Sequence, residues 1–519
     1  MPVGDMIRRS ADRFPEKTAL IFKEKRITYG ELNQRVNALA NRLLHMGGRK
    51  GDRVAVVLHN CPEFIEAYFA CAKSGLVFVP INNLLKQGEF AQIIQYIEPR
   101  FLLVDSDFED LILSVTEGMD FVEFKISLGG CQSPPFISYE QILARSSSEE
   151  PGAKISNDDV MSIFLTSGTT GLPKGAMRTH HHNFQNALVC ALEMKLDIND
   201  RTILLFPLYH VTFEDHTRHF LMGNTVYIRR GGAFDPKEVL GILSREKITT
   251  CQFVPTMVNA MLQEKSIETY DLSSLRLIPY AASPMPVELL KQAMARFKCG
   301  FIQFYGQTET GPLTTVLPPE AHVLEGTLAQ LERLASAGRA ALNYEVRIVD
   351  KEGRDVSVGE VGEIIVRSEA MTIGYWNLPE QTSESVRDGW RLTGDFGKFD
   401  SENNVYIVDR KNDMIISGGK NIYPREIEEV IYTHDSVLDV AVVGIPDDYW
   451  GESVKAFVVL KEGMTATEDD IISTCKERLA SYKKPKSVEF REELPRSPTG
   501  KILKRKIRKE YWGSRDRQV

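Results

Sequence analysis

Ten residues, TSGTTGLPKG at 166–175, set Thr166, Ser167, Thr169, Thr170 and Lys174 among three glycines, directly after the apolar run Met161-Ser162-Ile163-Phe164-Leu165. The run reads as a buried strand, and Gly168, Gly171 and Gly175 let the backbone behind it approach a ligand with no Cβ in the way. Hydroxyls and one ammonium at a strand's end suit phosphate oxygens. The spacing is not that of a P-loop, which needs Gly-x-x-x-x-Gly-Lys and then Ser or Thr, whereas here Gly175 follows Lys174. Read alone, the stretch fits a solvated Ser/Thr/Gly linker equally well.

Four further stretches carry groups of complementary chemistry. In FYGQTETG (304–311), Tyr305 offers an aromatic plane for a base and Glu309 a hard oxygen ligand for Mg2+. In LTGDFG (392–397), Asp395 beside Gly394 is placed to accept hydrogen bonds from two ribose hydroxyls. VDRKNDMIISGGKN (408–421) opens on Arg410 and closes on Gly418 and Gly419, and LPRSPTGKILKR (494–505) sets a Gly-Lys turn between basic segments. Each acid also reads as an ordinary turn residue in water.

The elements that must position these groups follow an α/β pattern. RVAVVLHN (53–60), LVFVPIN (76–82) and FLLVDS (101–106) read as short buried strands, and ELNQRVNALANRLLHMG (31–47) as an amphipathic helix. TVYIRR (225–230), TTCQFVP (249–255) and LRLIPYAAS (275–283) repeat the strand-then-turn pattern, with helices such as PKEVLGILSREK (236–247) between them. A large domain of several parallel or mixed sheets with helices on them is expected. Around 385–425 the chain becomes dense in Gly, Asp and Arg, which reads as a domain junction bearing functional groups. Beyond it, the strands VLDVAVVGI (437–445) and VKAFVVL (454–460) and the helix EDDIISTCKERLASY (468–482) fit a small α+β domain.

At 519 residues the chain exceeds one ordinary core. No segment is apolar for the length of a membrane span, and the charged start MPVGDMIRRSADRFPEK lacks a signal-peptide stretch, so a cytoplasmic protein is expected. Seven dispersed cysteines without a C-x-x-C pair favour reduced thiols over a disulfide frame or zinc site. The net charge of −8 argues against nucleic acid as a partner. KKPK (483–486) and KILKRKIRK (501–509) are basic, either as a solvated helix face or as a patch for a multiply phosphorylated small molecule.

TSGTTGLPKG, YGQTE, TGD, DRKNDMIISGG and PRSPTGK occur in the order of the core motifs of the adenylate-forming superfamily, which the whole chain resembles: acyl- and aryl-CoA synthetases, peptide-synthetase adenylation domains and firefly-type luciferases. The resemblance implies a large domain over 1–409, a hinge at 410–413 and a mobile small domain over 414–519. It implies a ligase that forms an acyl-AMP from ATP and a carboxylic acid with Mg2+, then transfers the acyl group to CoA. An enzyme loading a carrier protein is the alternative, a nucleotide-binding protein without catalysis is a third reading, and a homodimer is left open. By similarity, Thr166, Ser167, Gly168, Thr169, Thr170 and Lys174 handle the phosphates, and Glu309 with Thr166 holds Mg2+. Ala282, Ser283 and Tyr305 flank adenine, with Gly306 and Thr308 of the same motif beside it. Asp395 and Arg410 hold the ribose, and Lys501 reaches from the small domain to the reacting carboxylate and α-phosphate. Gly418 and Gly419 resemble the wall of a pantetheine tunnel, and GIPDDYWGE (444–452) looks more like CoA ligases than luciferases. The hinge position is Asn412, where many relatives carry Asp or Lys.

PLYH (207–210) is similar to the stretch whose His stands by the acyl carboxylate, which makes His210 a gate or carboxylate-side residue; a core histidine is the other reading. Phe304 stands where many relatives have Gly, and Ala281 at another small position, so short, branched or ring acids are expected. Thr212, Glu214, Asp215, His216 and Arg218 either line the pocket or form a solvated helix, and the solvated helix is expected. His180, His181 and His182 lack metal-ligand spacing and read as a helix start.

Overall fold

The computed structural model describes residues 1–129, 134–166, 173–283, 285–410, 413–497 and 500–513. It is a mixed α/β chain whose large N-terminal part holds three sheets and whose small C-terminal part holds a fourth. In the nine-stranded sheet, Arg201–Leu204, Thr250–Cys251, Leu277–Tyr280 and Gly300–Gln307 lie side by side and parallel, and Gly311–Leu317 turns back antiparallel against the last. Their middle residues are mostly apolar and buried, as strands covered on both faces must be, while Arg201 and the end of the last strand, residues 305–307, are only partly buried. In the eight-stranded sheet, Val160–Thr166 runs parallel to Val77–Pro80 and then pairs antiparallel with Lys174–Thr179, with Met161, Ile163 and Phe164 in the core.

Helix starts are set by side chains that satisfy the free backbone N–H groups of the first turn. Thr28 and Glu31 form a reciprocal cap on Tyr29–His45. Thr179 accepts from the His182 N–H while the His182 ring accepts from the Thr179 N–H, so the histidine run does open a helix, His180–Glu193. His180 accepts from the Val3 N–H, and no group of potential metal ligands occurs among the described residues.

The stretch read as a junction is folded earlier than its composition suggests. Trp390–Phe399 and Val405–Arg410 are paired antiparallel strands of the third sheet, and the fourth sheet begins at Ile415–Ser417. Glycines at 394 and 397 and the turn at Asp400–Asn404 gave the sequence a loop-like texture. The small sheet packs the C-terminal helix Lys504–Trp512, and that basic segment is a solvated face only in part: Arg505, Lys506 and Lys509 are exposed, while Lys504 pairs with Glu428 at 2.7 Å and Arg508 with Asp413 at 2.5 Å. Six cysteines are described, all free thiols. Among the described residues no helix is long and apolar enough to cross a membrane.

Candidate active site

Parallel strands leave their carboxyl ends on one edge of a sheet, and that edge collects ligand-facing loops. Here four neighbouring strands deliver, in order, Tyr305, then Ala281 to Ser283, then Gln252, then the segment leading to His210. Tyr305 does more than present a ring, because its hydroxyl donates to Asp395 Oδ2 at 2.8 Å. Gln307, which the sequence reading passed over, donates to the same oxygen at 2.7 Å and to the Thr393 carbonyl at 2.9 Å. Asp395 is buried, with Oδ1 facing Arg410 Nε at 3.3 Å across the strand pair. Oδ2 is thus taken by Tyr305 and Gln307, while Oδ1 is shared only with the exposed Arg410, which leaves that pair the part of the cluster open to a ligand.

Two small residues fit for backbone reasons. A Cβ on Gly306 would lie 2.1 Å from the Gly311 carbonyl oxygen, so only glycine lets this turn close. Ala282 is exposed and holds φ at 72°, a left-handed conformation that costs an L-residue about 1–2 kcal/mol. Ser283 and Thr308 lie beside these turns, half-buried.

Glu309 is fixed from a direction the sequence did not reveal. Tyr375 donates its hydroxyl to Glu309 Oε1 at 2.9 Å, and burial, reinforced by that carboxylate, raises the phenol's pKa and keeps it a donor. The Glu309 carbonyl accepts from Thr372, and the Lys174 ammonium lies 5.0 Å over the Tyr375 ring. Gly374–Tyr375 pairs with Lys174–Thr179, so one short strand ties the acid to the lysine. Thr166 Oγ1 donates to the Lys174 carbonyl at 3.3 Å. Ser167, Gly168, Thr169 and Thr170 lie outside the described residues, as does Asn412.

Lys501 comes from the small domain and meets the large one. Its turn is closed by the Gly500 N–H to the Ser497 carbonyl at 2.8 Å and the Ser497 N–H to the Lys501 carbonyl at 2.8 Å. A Cβ on Gly500 would stand 2.7 Å from Thr256 Oγ1, so the turn is seated on the large domain. Burial first, then the neighbouring Arg410, lowers the Lys501 pKa to about 8 against the pull of Asp395 and Asp413. Gly418 and Gly419 form the two-residue turn between Ile415–Ser417 and Lys420–Ile422, with φ of 56° and 74°, the paired left-handed geometry of a tight hairpin. Gly418 abuts the Trp450 ring, while a Cβ on Gly419 would meet nothing within 4 Å.

His210 accepts at Nδ1 from the Thr212 N–H at 3.3 Å, and burial lowers its pKa to about 4, so the ring is neutral with its proton on Nε2. Asn60 pins the approach to it, accepting from the Leu208 N–H and donating to the Phe206 and Arg229 carbonyls. The expected solvated helix after His210 is wrong. Thr212, Glu214, Asp215, His216 and Arg218 are all buried, in the short helices Thr212–Asp215 and Thr217–Met222. Partners from distant segments make burial tolerable: Arg178 pairs with Glu214 at 3.0 Å, and Asn183 and Tyr68 donate to its other oxygen. Nothing in the local charge pattern announces those partners.

A model of the AMP-binding enzymes matches residues 7–376, and one of their C-terminal domain matches 426–501. A feruloyl-CoA synthase from an Amycolatopsis species is 36% identical over 511 residues, 98% of this chain and 99% of its own. The fatty acid–acyl-carrier-protein ligase ScoC of Streptomyces coeruleorubidus is 34% identical over 98% of this chain and 96% of its own. The solved anthranilate CoA ligase AuaEII, in complex with anthranoyl-AMP, superposes with a TM-score of 0.91 at 29% identity, covering 98% of this chain and 97% of that one. The chain belongs to the family of AMP-binding enzymes. Within it, the chain is an ATP-dependent acid–thiol ligase, an AMP-forming acyl-CoA synthetase.

Proposed function

We propose that the enzyme activates a compact carboxylic acid, with CoA as the acyl acceptor and residues 410–413 as the hinge between the two half-reactions. The observation that carries the reading is Lys501, a half-buried small-domain cation beside Asp395 of the large domain and Arg410 at the hinge. A carboxylate oxygen attacks the α-phosphorus, the bond to the β-phosphate breaks and pyrophosphate leaves. Both reactants are anions, so fixed cations and donors must offset their repulsion. Lys501 supplies charge between carboxylate and α-phosphate, and Lys174 with Ser167, Thr169 and Thr170 holds the outgoing phosphates. Asp395 Oδ1 and Arg410 receive the ribose, and neutral His210 offers Nε2–H to the acid. In the second step the thiol sulfur bonds to the acyl carbon as it loses its proton, and AMP leaves.

Glu309 and Thr166 are hard oxygen donors of the kind Mg2+ takes, and there the ion would neutralise phosphate oxygens. Tyr375 acts by aiming Glu309. Tyr375→Phe keeps the ring under Lys174 and removes the hydroxyl, so the Mg2+ concentration giving half-maximal pyrophosphate release should rise about tenfold, one charge-assisted hydrogen bond's worth. An unchanged Mg2+ titration would remove that role.

Phe304 supports a compact acid. Its side chain is buried in a cluster with Cys190, Met194, Leu313 and Val316, with Ala281 beside it. Phe304→Ala should open room for two or three methylenes, each contributing about 0.8 kcal/mol when buried, and shift selectivity tenfold or more towards longer acids. A panel of carboxylic acids read by pyrophosphate release tests the whole reading, with CoA and a carrier protein supplied separately as acceptors. Strong activity of the unaltered enzyme on long-chain fatty acids would contradict the pocket assignment, and acylation of the carrier protein alone would contradict CoA.

A further inference from the structure

The helices after His210 bury more polar chemistry than a pocket for a plain hydrocarbon acid requires. Arg218 is 1% exposed. Its guanidinium donates to the Asp215 carbonyl and to Gln252 Oε1 at 3.3 Å, the Cys190 thiol lies against it, and its Nε has no hydrogen-bond partner among the described residues. Those partners are neutral groups, in contrast to Arg178, which faces Glu214. The adjacent acid, Asp215, offers Arg218 its backbone, and its carboxyl oxygen Oδ1 is itself unpartnered. Among the described residues no carboxylate lies within ion-pair distance of Arg218, Asp215 acting on it only from farther off, and a buried cation so placed is costly, by several kcal/mol per ion, unless something supplies a closer acceptor. His216 adds a second open group. Its Nδ1 donates to the Thr212 carbonyl at 2.7 Å, which leaves Nε2 as a buried acceptor without a partner among the described residues.

The position of these groups points to the acid. Gln252 follows the strand Thr250–Cys251 on the same sheet edge that delivers Ala281, Phe304 and Tyr305, and Cys190 belongs to the Phe304 cluster. Through Cys190, Arg218 lies against the Phe304 cluster, while His210 precedes the first of the two short helices.

We propose that Arg218, held by Gln252, binds a second oxygen on the acyl group, so that the substrate is a compact acid bearing a hydroxyl or a second carboxylate at the end remote from the reacting one. The inference rests on the ligase reading above. A hydroxyl satisfies both open groups, accepting from Arg218 and donating to His216, whereas a carboxylate satisfies Arg218 alone. A site built to hydrogen-bond a substrate group rejects the analogue that lacks it far more strongly than a hydrophobic pocket rejects a missing methylene.

The test is a set of matched acids with the full-length enzyme, ATP and Mg2+, read by pyrophosphate release: benzoate against para-hydroxybenzoate and terephthalate, and butyrate against gamma-hydroxybutyrate and glutarate. Within at least one series the oxygen-bearing acid should exceed its bare partner about a hundredfold in kcat/KM, and the better arm identifies hydroxyl or carboxylate. In Arg218→Met that ratio should collapse to within about tenfold, chiefly through KM, and Arg218→Lys should restore part of it. Bare acids used as well as or better than their partners by the unaltered enzyme would overturn the proposal without any variant, as would a preference that survives Arg218→Met. Absence of pyrophosphate release with every acid would instead overturn the ligase reading.

Discussion

Replacing Lys501 by alanine is expected to slow acyl-AMP formation by two or more orders of magnitude while sparing thioester formation from supplied acyl-AMP. The loss corresponds to about 2.7 kcal/mol or more of transition-state stabilisation, the scale of one preorganised charge in a site shielded from water. The environment of Lys501 adds a pH signature. With its pKa lowered to about 8, the amine is charged at pH 7 and loses its proton as pH rises through about 8. Because kcat/KM reports groups of the free enzyme, the first half-reaction should hold level from about pH 6 to 7 and fall above about 8. His210, neutral down to about 4, should add no limb near neutrality. Pyrophosphate-release and thioester assays run side by side check both points, and equal losses in the two half-reactions would remove the assigned role.

Gly419→Leu should do the converse, leaving pyrophosphate release nearly intact and abolishing most thioester formation. Gly419 lies exposed with open space around its Cα, so a leucine there meets no packed neighbour and the cost to folding is confined to the backbone. That cost, for φ of 74°, is about 1–2 kcal/mol. Gly419→Ala carries the same backbone strain without the bulk and should retain most of the thioester rate. If the leucine variant makes thioester at the normal rate, the pantetheine arm passes elsewhere.

Much of the fold was legible because its signals are local. The apolar run before Thr166 read as a buried strand, and the alternation of short apolar runs with amphipathic segments located the parallel strand that leads to Ala282, whereas the strand Gly300–Gln307 that carries Tyr305 was read only as a motif. The ordered motifs likewise named Asp395, Arg410 and Lys501, which the structure brings together. What escaped were properties that exist only between distant segments. Tyr375 touches Glu309 across 66 positions and Arg178 reaches Glu214 across 36, so the charged stretch after His210 looked solvated when it was buried. The short strand VYIVD was read at 405–409, but its partner at 390–399 was not, because the glycines at 394 and 397 break the apolar alternation that would have marked it.

The Lys501 turn and the Gly418–Gly419 hairpin belong to one small folded body, the first seated against the large domain while the second stands in the open. If that body turns about the proposed hinge to present first one and then the other, then between the departure of pyrophosphate and the arrival of a thiol the activated acid is held for an interval with no acceptor in reach. A mixed anhydride is open to hydrolysis throughout that interval. Its lifetime against water therefore sets a lower bound on how quickly the body must turn, and the seal around the bound acyl-adenylate, Phe304 and the buried helices after His210 included, protects the ATP already spent as much as it chooses the acid.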